Sequence, residues 1–214
     1  MFIFEKVNTM NDSNNQTNRL VCYTIGHSTH EITSLIKLLQ KYGINWVVDV
    51  RSIPYSRRNP QYNRENLIPS LKKEGIFYLH MGTELSVNRN DPSLFTHGRI
   101  DFDKLITTDY FQSGINTVID SIKKGLNISL LCAEKDPYRC HRFVLVAYEL
   151  TQRGIEVKHI REDGRLESQH QLEEKLLQEF EPGYDQGDLF HPPKTRTQAL
   201  LDAYRKRIIQ MLQR

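Results

Sequence analysis

The residues best equipped for chemistry crowd into one stretch: Cys132, Glu134, Asp136, Cys140, His141 and Arg142. Cys132 closes a short apolar run at 128–131. It stands ahead of Asp136-Pro137, a helix cap followed by a first-turn proline. A cysteine between a strand end and a helix amino terminus feels backbone N–H groups and the helix dipole, and both favour the thiolate. Cys132 is therefore a candidate nucleophile, with Glu134 and His27 as candidate proton-transfer groups. The plainer reading is a buried, inert cysteine at a strand end, with Glu134 paired to Arg139.

Phosphatases and rhodanese-like sulfurtransferases place a nucleophilic cysteine in the same topological position, with an anion-cradling loop and then an arginine. The run from Cys132 to Arg139 is one residue longer than the phosphatase loop, and Asp136 sets a negative charge inside it. The analogy is thus one of position only. Cys132 and Cys140 flank a short loop and could form a redox pair or, with His141 and His27, a zinc site. Zinc motifs usually space their cysteines two to four apart, so the spacing assigns no metal. The cofactor is left unknown. The bland alternative is that Cys140 packs and His141 caps the loop.

Arg51, Arg142 and His141 are the candidate anion-binding residues, because the guanidinium fork suits phosphate or carboxylate. Asp49 lies inside an apolar run, where an unpaired carboxylate would be costly. It needs Arg51, Arg142 or a loop N–H as partner, and so organises the site together with Cys140. Arg57 and Arg58 read as a solvated surface pair.

These residues need elements to hold them. Short, continuously apolar runs at 20–25, 46–50, 76–79, 128–131 and 155–160 read as strands. Amphipathic segments alternate with them. Ser28 and Glu31 form a capping box for the first helix, which carries Ile32, Leu35, Ile36 and Leu39 on one stripe. A helix from Asn66 would place Pro69 in its first turn, and residues 80–98 read as an irregular functional loop. The alternation predicts a three-layer α/β fold, a mainly parallel sheet of about five strands with helices on both faces. Ligands of such sheets settle outside the carboxyl ends of the strands. His27, Arg51, Cys132 and His141 all follow strands, so they should line one concavity.

Three segments, TIGHST at 24–29, VDVRSIPYSRR at 48–58 and LCAEKDPYRCHR at 131–142, resemble the signature segments of domain-of-unknown-function family 488. The resemblance runs in order over residues 23–164. It implies an α/β fold and a cytoplasmic, mostly prokaryotic setting, and no established reaction. One departure lies at 81–95, MGTELSVNRNDPSLF, where the family commonly shows a glycine pair near Thr83 and Glu84.

Composition narrows the class. The chain has 214 residues, 38% hydrophobic and 26% charged, enough for one cored domain and in keeping with a globular protein. No apolar run approaches the ~20 residues of a membrane span, and residues 1–19 read as a polar extension without the succession of a signal peptide. Three cysteines are too few for a disulfide framework, which suits a cytoplasmic location. A net charge of +3 permits an anionic small molecule or nucleic acid without announcing either. Two readings follow: a small cysteine-dependent transferase or hydrolase with an anionic substrate, or a binding module using the same residues for recognition.

Residues 20–180 make the domain, and 181–214 a Pro/Gly-rich linker and final helix. The linker holds Gln186, Leu189 and Phe190 in a run similar to the peptides that dock on the bacterial sliding clamp, for which an extended setting is right. The alternative is a tail whose Leu189 and Phe190 fold back as anchors. Replacing both by Ala should abolish clamp binding in a pull-down while thermal stability stays nearly unchanged. A fall of many degrees in Tm would make them core residues instead.

Overall fold

A computed structural model describes residues 20–87, 91–187 and 192–212. The predicted strands form β1 (Val21–Gly26), β2 (Trp46–Asp49), β3 (Phe77–His80), β6 (Ile128–Cys132) and β7 (Glu156–Ile160), while β4 (Phe95–Thr96) and β5 (Arg99–Ile100) make a separate hairpin. A further strand, β8 (Leu166–Ser168), runs antiparallel on β7, so the main sheet has six strands in the order β3-β2-β6-β1-β7-β8. Every other pairing in it is parallel. The sequence hid β8 because it is short and half-exposed, with no apolar run to mark it.

Helices cover both faces, as the apolar strands require. Successive strand residues point to opposite sides. Val47 and Leu131 meet Leu35, Leu39, Leu67 and Leu71 of α1 (Ile32–Lys41) and α2 (Arg64–Lys73). Val48 and Leu130 join the larger cluster on the other side. There stand α3 (Gly82–Leu85), α4 (Phe102–Ile106), α5 (Asp109–Lys123), α6 (Tyr148–Gln152), α7 (Gln169–Phe180) and α8 (Arg196–Leu212). The final helix is no appendage: Ala199, Leu200, Ala203, Tyr204 and Ile208 are buried in that larger core.

Three local expectations are corrected. Ser28 does not cap α1, whose first residue follows Glu31. Ser28 instead adopts a left-handed φ of 48° while its N–H bonds the Ala133 carbonyl at 3.0 Å, which keeps the chain tied to β6 past the strand end. Pro69 lies inside α2 rather than in its first turn, because the helix starts at Arg64. Burial of Leu67 and Leu71 holds the turn that the proline weakens. Residues 80–98 are partly regular, with α3, a 3-10 turn at Pro92–Leu94 and the β4–β5 hairpin.

A buried polar chain ties α8 to the sheet. His159 Nε2 donates to Gln169 Oε1 at 2.9 Å, so its Nδ1 accepts from the Thr24 hydroxyl at 2.8 Å. Gln169 Nε2 donates to the Tyr204 hydroxyl at 2.6 Å, which donates to Glu173 at 3.0 Å. Burial lowers the His159 pKa from 6.5 to about 3. Below pH 6.5 the unfolded chain binds a proton that folded His159 refuses, so stability falls as pH drops from 6.5 towards 3, by at most about 1.4 kcal/mol per pH unit. His159→Gln should lower Tm at pH 7 yet flatten the Tm decline between pH 6.5 and 4.5. Parallel declines in the two proteins would remove His159 as a source.

Candidate functional site

The loops after β1, β2 and β6 are stitched together at one end of the sheet. His27 N–H bonds the Cys132 carbonyl at 2.9 Å, and Val50 N–H bonds that of Leu131 at 3.0 Å. The contact is close enough to require glycine at 26, where a Cβ would lie 1.9 Å from the Glu134 carbonyl oxygen. Gly82 plays the same part beneath the second loop, with 2.0 Å between a built Cβ and the Arg51 carbonyl oxygen.

One knot is an ion pair. Asp49 is fully buried and faces Arg51, whose Nε donates to both carboxylate oxygens at 2.9 and 3.1 Å and whose Nη2 reaches Oδ2 at 2.5 Å. Two further bonds stay inside the protein: Nη2 donates to the Tyr62 carbonyl at 2.9 Å and Nη1 to His27 Nε2 at 3.1 Å. Asp49 further accepts the Arg51 backbone N–H and the Tyr78 hydroxyl, at 3.1 and 2.8 Å. His27 donates from Nδ1 to the Ser28 carbonyl at 2.8 Å and stacks on Tyr62, ring centroids 4.1 Å apart. Burial pulls its pKa to about 4, with the Arg51 charge acting the same way, so His27 is neutral and both its nitrogens are engaged. Tyr62 and Tyr78 were missed in the sequence, where neither spacing nor residue type sets them apart from other loop and strand tyrosines.

The second knot is made of sulfur. Asp136 does cap a turn, its side chain accepting the Tyr138 N–H at 3.2 Å, but the turn is a 3-10 helix ending at Arg139. Cys140 is extended (φ −126°, ψ 145°), and the helix resumes as a π-helix at Arg142–Ala147 before α6. Cys140 therefore sits in a break rather than in the helix's first turns. His141 Nδ1 lies 3.8 Å from Cys132 Sγ and 3.9 Å from Cys140 Sγ, and the three atoms fall within 4.8 Å of one another. The ring is oriented by its other nitrogen, which donates to the Val50 carbonyl at 3.0 Å and leaves Nδ1 facing the sulfurs.

Arg142 completes this knot. It is 1% exposed, and its Nη1 and Nη2 donate to the Glu134 and Lys135 carbonyls at 2.6 and 3.2 Å. Its Nε has no partner, and no carboxylate pairs with it among the described residues. A Cys140 hydrogen bond, followed by the His141 and Arg142 charges, holds the Cys132 thiol well below its usual range. Burial, then the bond to Cys132, pushes Cys140 well above it. Burial lowers His141, but the Cys132 charge and the hydrogen bonds to Cys132 and the Val50 carbonyl together outweigh it, and the net shift is upward. Of the two thiols, Cys132 is thus the one whose surroundings favour the thiolate.

Cys132, Cys140 and His141 are also the donors that could hold a metal. A tetrahedral zinc with ordinary bond lengths would set sulfur and nitrogen about 3.6 Å apart, slightly closer than they stand. His27 cannot add a fourth ligand while Arg51 and Ser28 hold its nitrogens.

The expected single concavity is two adjoining clefts. One, of about 390 Å³, is lined by His27, Arg51, Tyr55, Asn59, Glu134 and Lys135. The other, of about 230 Å³, is lined by Ser52, Glu134, Arg139, Cys140 and His141. Glu134 borders both, and its exposed carboxylate makes no ion pair among the described residues, with Arg139 or otherwise. Cys132, 4% exposed, lies beneath them. Arg57 and Arg58 are exposed. Gln186 is exposed on a turn bonded to Gly183, while Leu189 and Phe190 lie outside the described residues.

Residues 31–149 match a family model described as domain of unknown function DUF488. The chain belongs to the DUF488 family. The matched span of this DUF488 protein contains both knots except for His27, which precedes it with β1. No curated protein and no solved structure matches the chain.

Asp49→Asn would leave Arg51 a buried charge with a neutral partner, a change that typically costs about 3–5 kcal/mol. Denaturant unfolding should show a loss of that order, and Asp49→Ala should be no milder. A loss below about 1 kcal/mol would mean the pair does not hold the loops.

Proposed function

We propose that this DUF488 protein is a cysteine-dependent enzyme, a transferase or hydrolase of an anionic substrate, with Cys132 as nucleophile. The observation that carries the reading is the pair of buried sulfurs, Cys132 and Cys140, that face His141 Nδ1 at 3.8 and 3.9 Å next to the buried Arg142 guanidinium, which lacks a carboxylate among the described residues. A buried cation needs a counter-charge, and a thiolate held for that purpose is also the reactive form of cysteine. His141 faces the sulfur as the proton carrier: an imidazolium when Cys132 is charged, able to protonate a leaving group as the covalent adduct forms. Glu134, exposed where the clefts meet, is placed to take a proton from the water or acceptor that resolves the adduct.

The anion has fewer free donors than the sequence suggests. Arg51 and Arg142 are buried and bonded to loop carbonyls, so they position the loops. Lys135 and Arg139 at the rims are the cations left to meet a substrate. His27 acts through Arg51 as a positioning residue rather than as a base. Three unbonded cysteines suit a reducing cytoplasm, and among the described residues no helix is long and apolar enough to cross a membrane.

Iodoacetamide labelling against pH, read by peptide mass spectrometry, tests this. Cys132 should label with a midpoint at least about one pH unit below the ~8.5 of a free thiol. His141→Gln should raise that midpoint, and Cys132→Ser should remove the early-labelling site. Cys22, buried and pushed up to about 12, serves as the silent control. A Cys132 midpoint at or above the free-thiol value ends the nucleophile reading and leaves a binding module.

A further inference from the structure

Cys140 is a second thiol beside the first, with the same imidazole between them. Nδ1 of His141 stands 3.8 Å from one sulfur and 3.9 Å from the other, so a single base can take the proton of either. Cys140 lies in the extended break between the 3-10 turn and the π-helix, its backbone held by bonds to Pro137 and Phe143, so that turning its side chain towards Cys132 needs only rotation about its own Cα–Cβ bond. A disulfide needs the sulfurs at about 2.05 Å, a closure of under about 3 Å from where they stand. Cys140 also lines the smaller cleft, with Arg139 at its rim.

We propose that Cys140 is the resolving thiol of Cys132, and that the site exchanges with small anionic disulfides and closes a Cys132–Cys140 bond. The inference rests on the reading of Cys132 as nucleophile. In the first step the Cys132 thiolate attacks one sulfur of a disulfide RSSR. The reagent's S–S bond breaks, a mixed disulfide Cys132–S–SR forms, and RS⁻ leaves with the His141 proton. In the second step Cys140 gives its proton to His141 Nδ1 and attacks the Cys132 sulfur, and the second RS⁻ leaves and takes that proton. Two protein thiols are oxidised to one disulfide and RSSR is reduced to two RSH. Arg139 is placed to meet the carboxylates of such a reagent, and Cys22, outside the cluster of donors, takes no part.

The full-length reduced protein, incubated with oxidised glutathione at pH 7 and mapped without reduction, provides the test. The wild type should lose two hydrogens in mass and yield a peptide linking Cys132 to Cys140. Cys140→Ser should stop at one glutathione on Cys132, and Cys132→Ser should form neither species. A lasting glutathione adduct on wild-type Cys132, or a bond from Cys140 to Cys22, would overturn the pairing. Iodoacetamide labelling of the reduced wild type separates the two failures. If Cys132 still labels at low pH but no disulfide forms in the wild type, only the resolving role is wrong. If Cys132 labels as an ordinary thiol, the nucleophile reading falls and the pairing falls with it.

Discussion

Arg142 places a guanidinium where almost no water reaches and receives only two carbonyl oxygens in return. Carbonyls satisfy donors but do not cancel a charge, and a buried unit charge is among the costlier things a fold can carry. The same side chain anchors the loop after β6 through the Glu134 and Lys135 carbonyls, and that loop presses onto Gly26 so closely that no Cβ fits. The loop's position therefore depends on a charge the fold has buried. Removing Arg142 would release the loop.

The Asp49–Arg51 knot works differently. It is neutral overall and nearly saturated, and its hydrogen bonds run outward to Tyr62, Tyr78 and His27. Such a network stabilises little beyond a well-packed apolar equivalent, but it admits few other arrangements of the three loops. It holds the Val50 carbonyl in place, and that carbonyl orients His141. The ion-pair knot thus orients the imidazole of the sulfur knot through a single main-chain oxygen.

The sulfur knot is also backed by α7 and α8. The chain of hydrogen bonds from Thr24 through His159, Gln169 and Tyr204 to Glu173 fixes α7 and α8 against the face on which the π-helix after Cys140 is buried. A π-helix is rare and gathers at functional sites. Here it follows directly on the extended residue that brings the second sulfur to the first.

Much of this was legible in the residues. Short apolar runs between amphipathic segments dictate a covered parallel sheet, and the polar residues after those runs must meet at its carboxyl end. Asp49 announced a nearby cation because a carboxylate inside an apolar strand demands one, and Asp136-Pro137 announced a turn because both residues favour its first positions. The sequence could not say that Arg51 and Arg142 would spend their donors on the protein, nor that the crevice would divide in two around Glu134. It could not say that Ser28 would hold a left-handed turn instead of a cap, or that Cys140 would fall in a break. Local pattern determines which elements form and at which sheet end the reactive side chains gather, since those depend on periodicity and propensity along the chain. Only tertiary structure decides which atoms pair, because hydrogen bonds between loops 20 to 100 residues apart are chosen by the packing that brings them together.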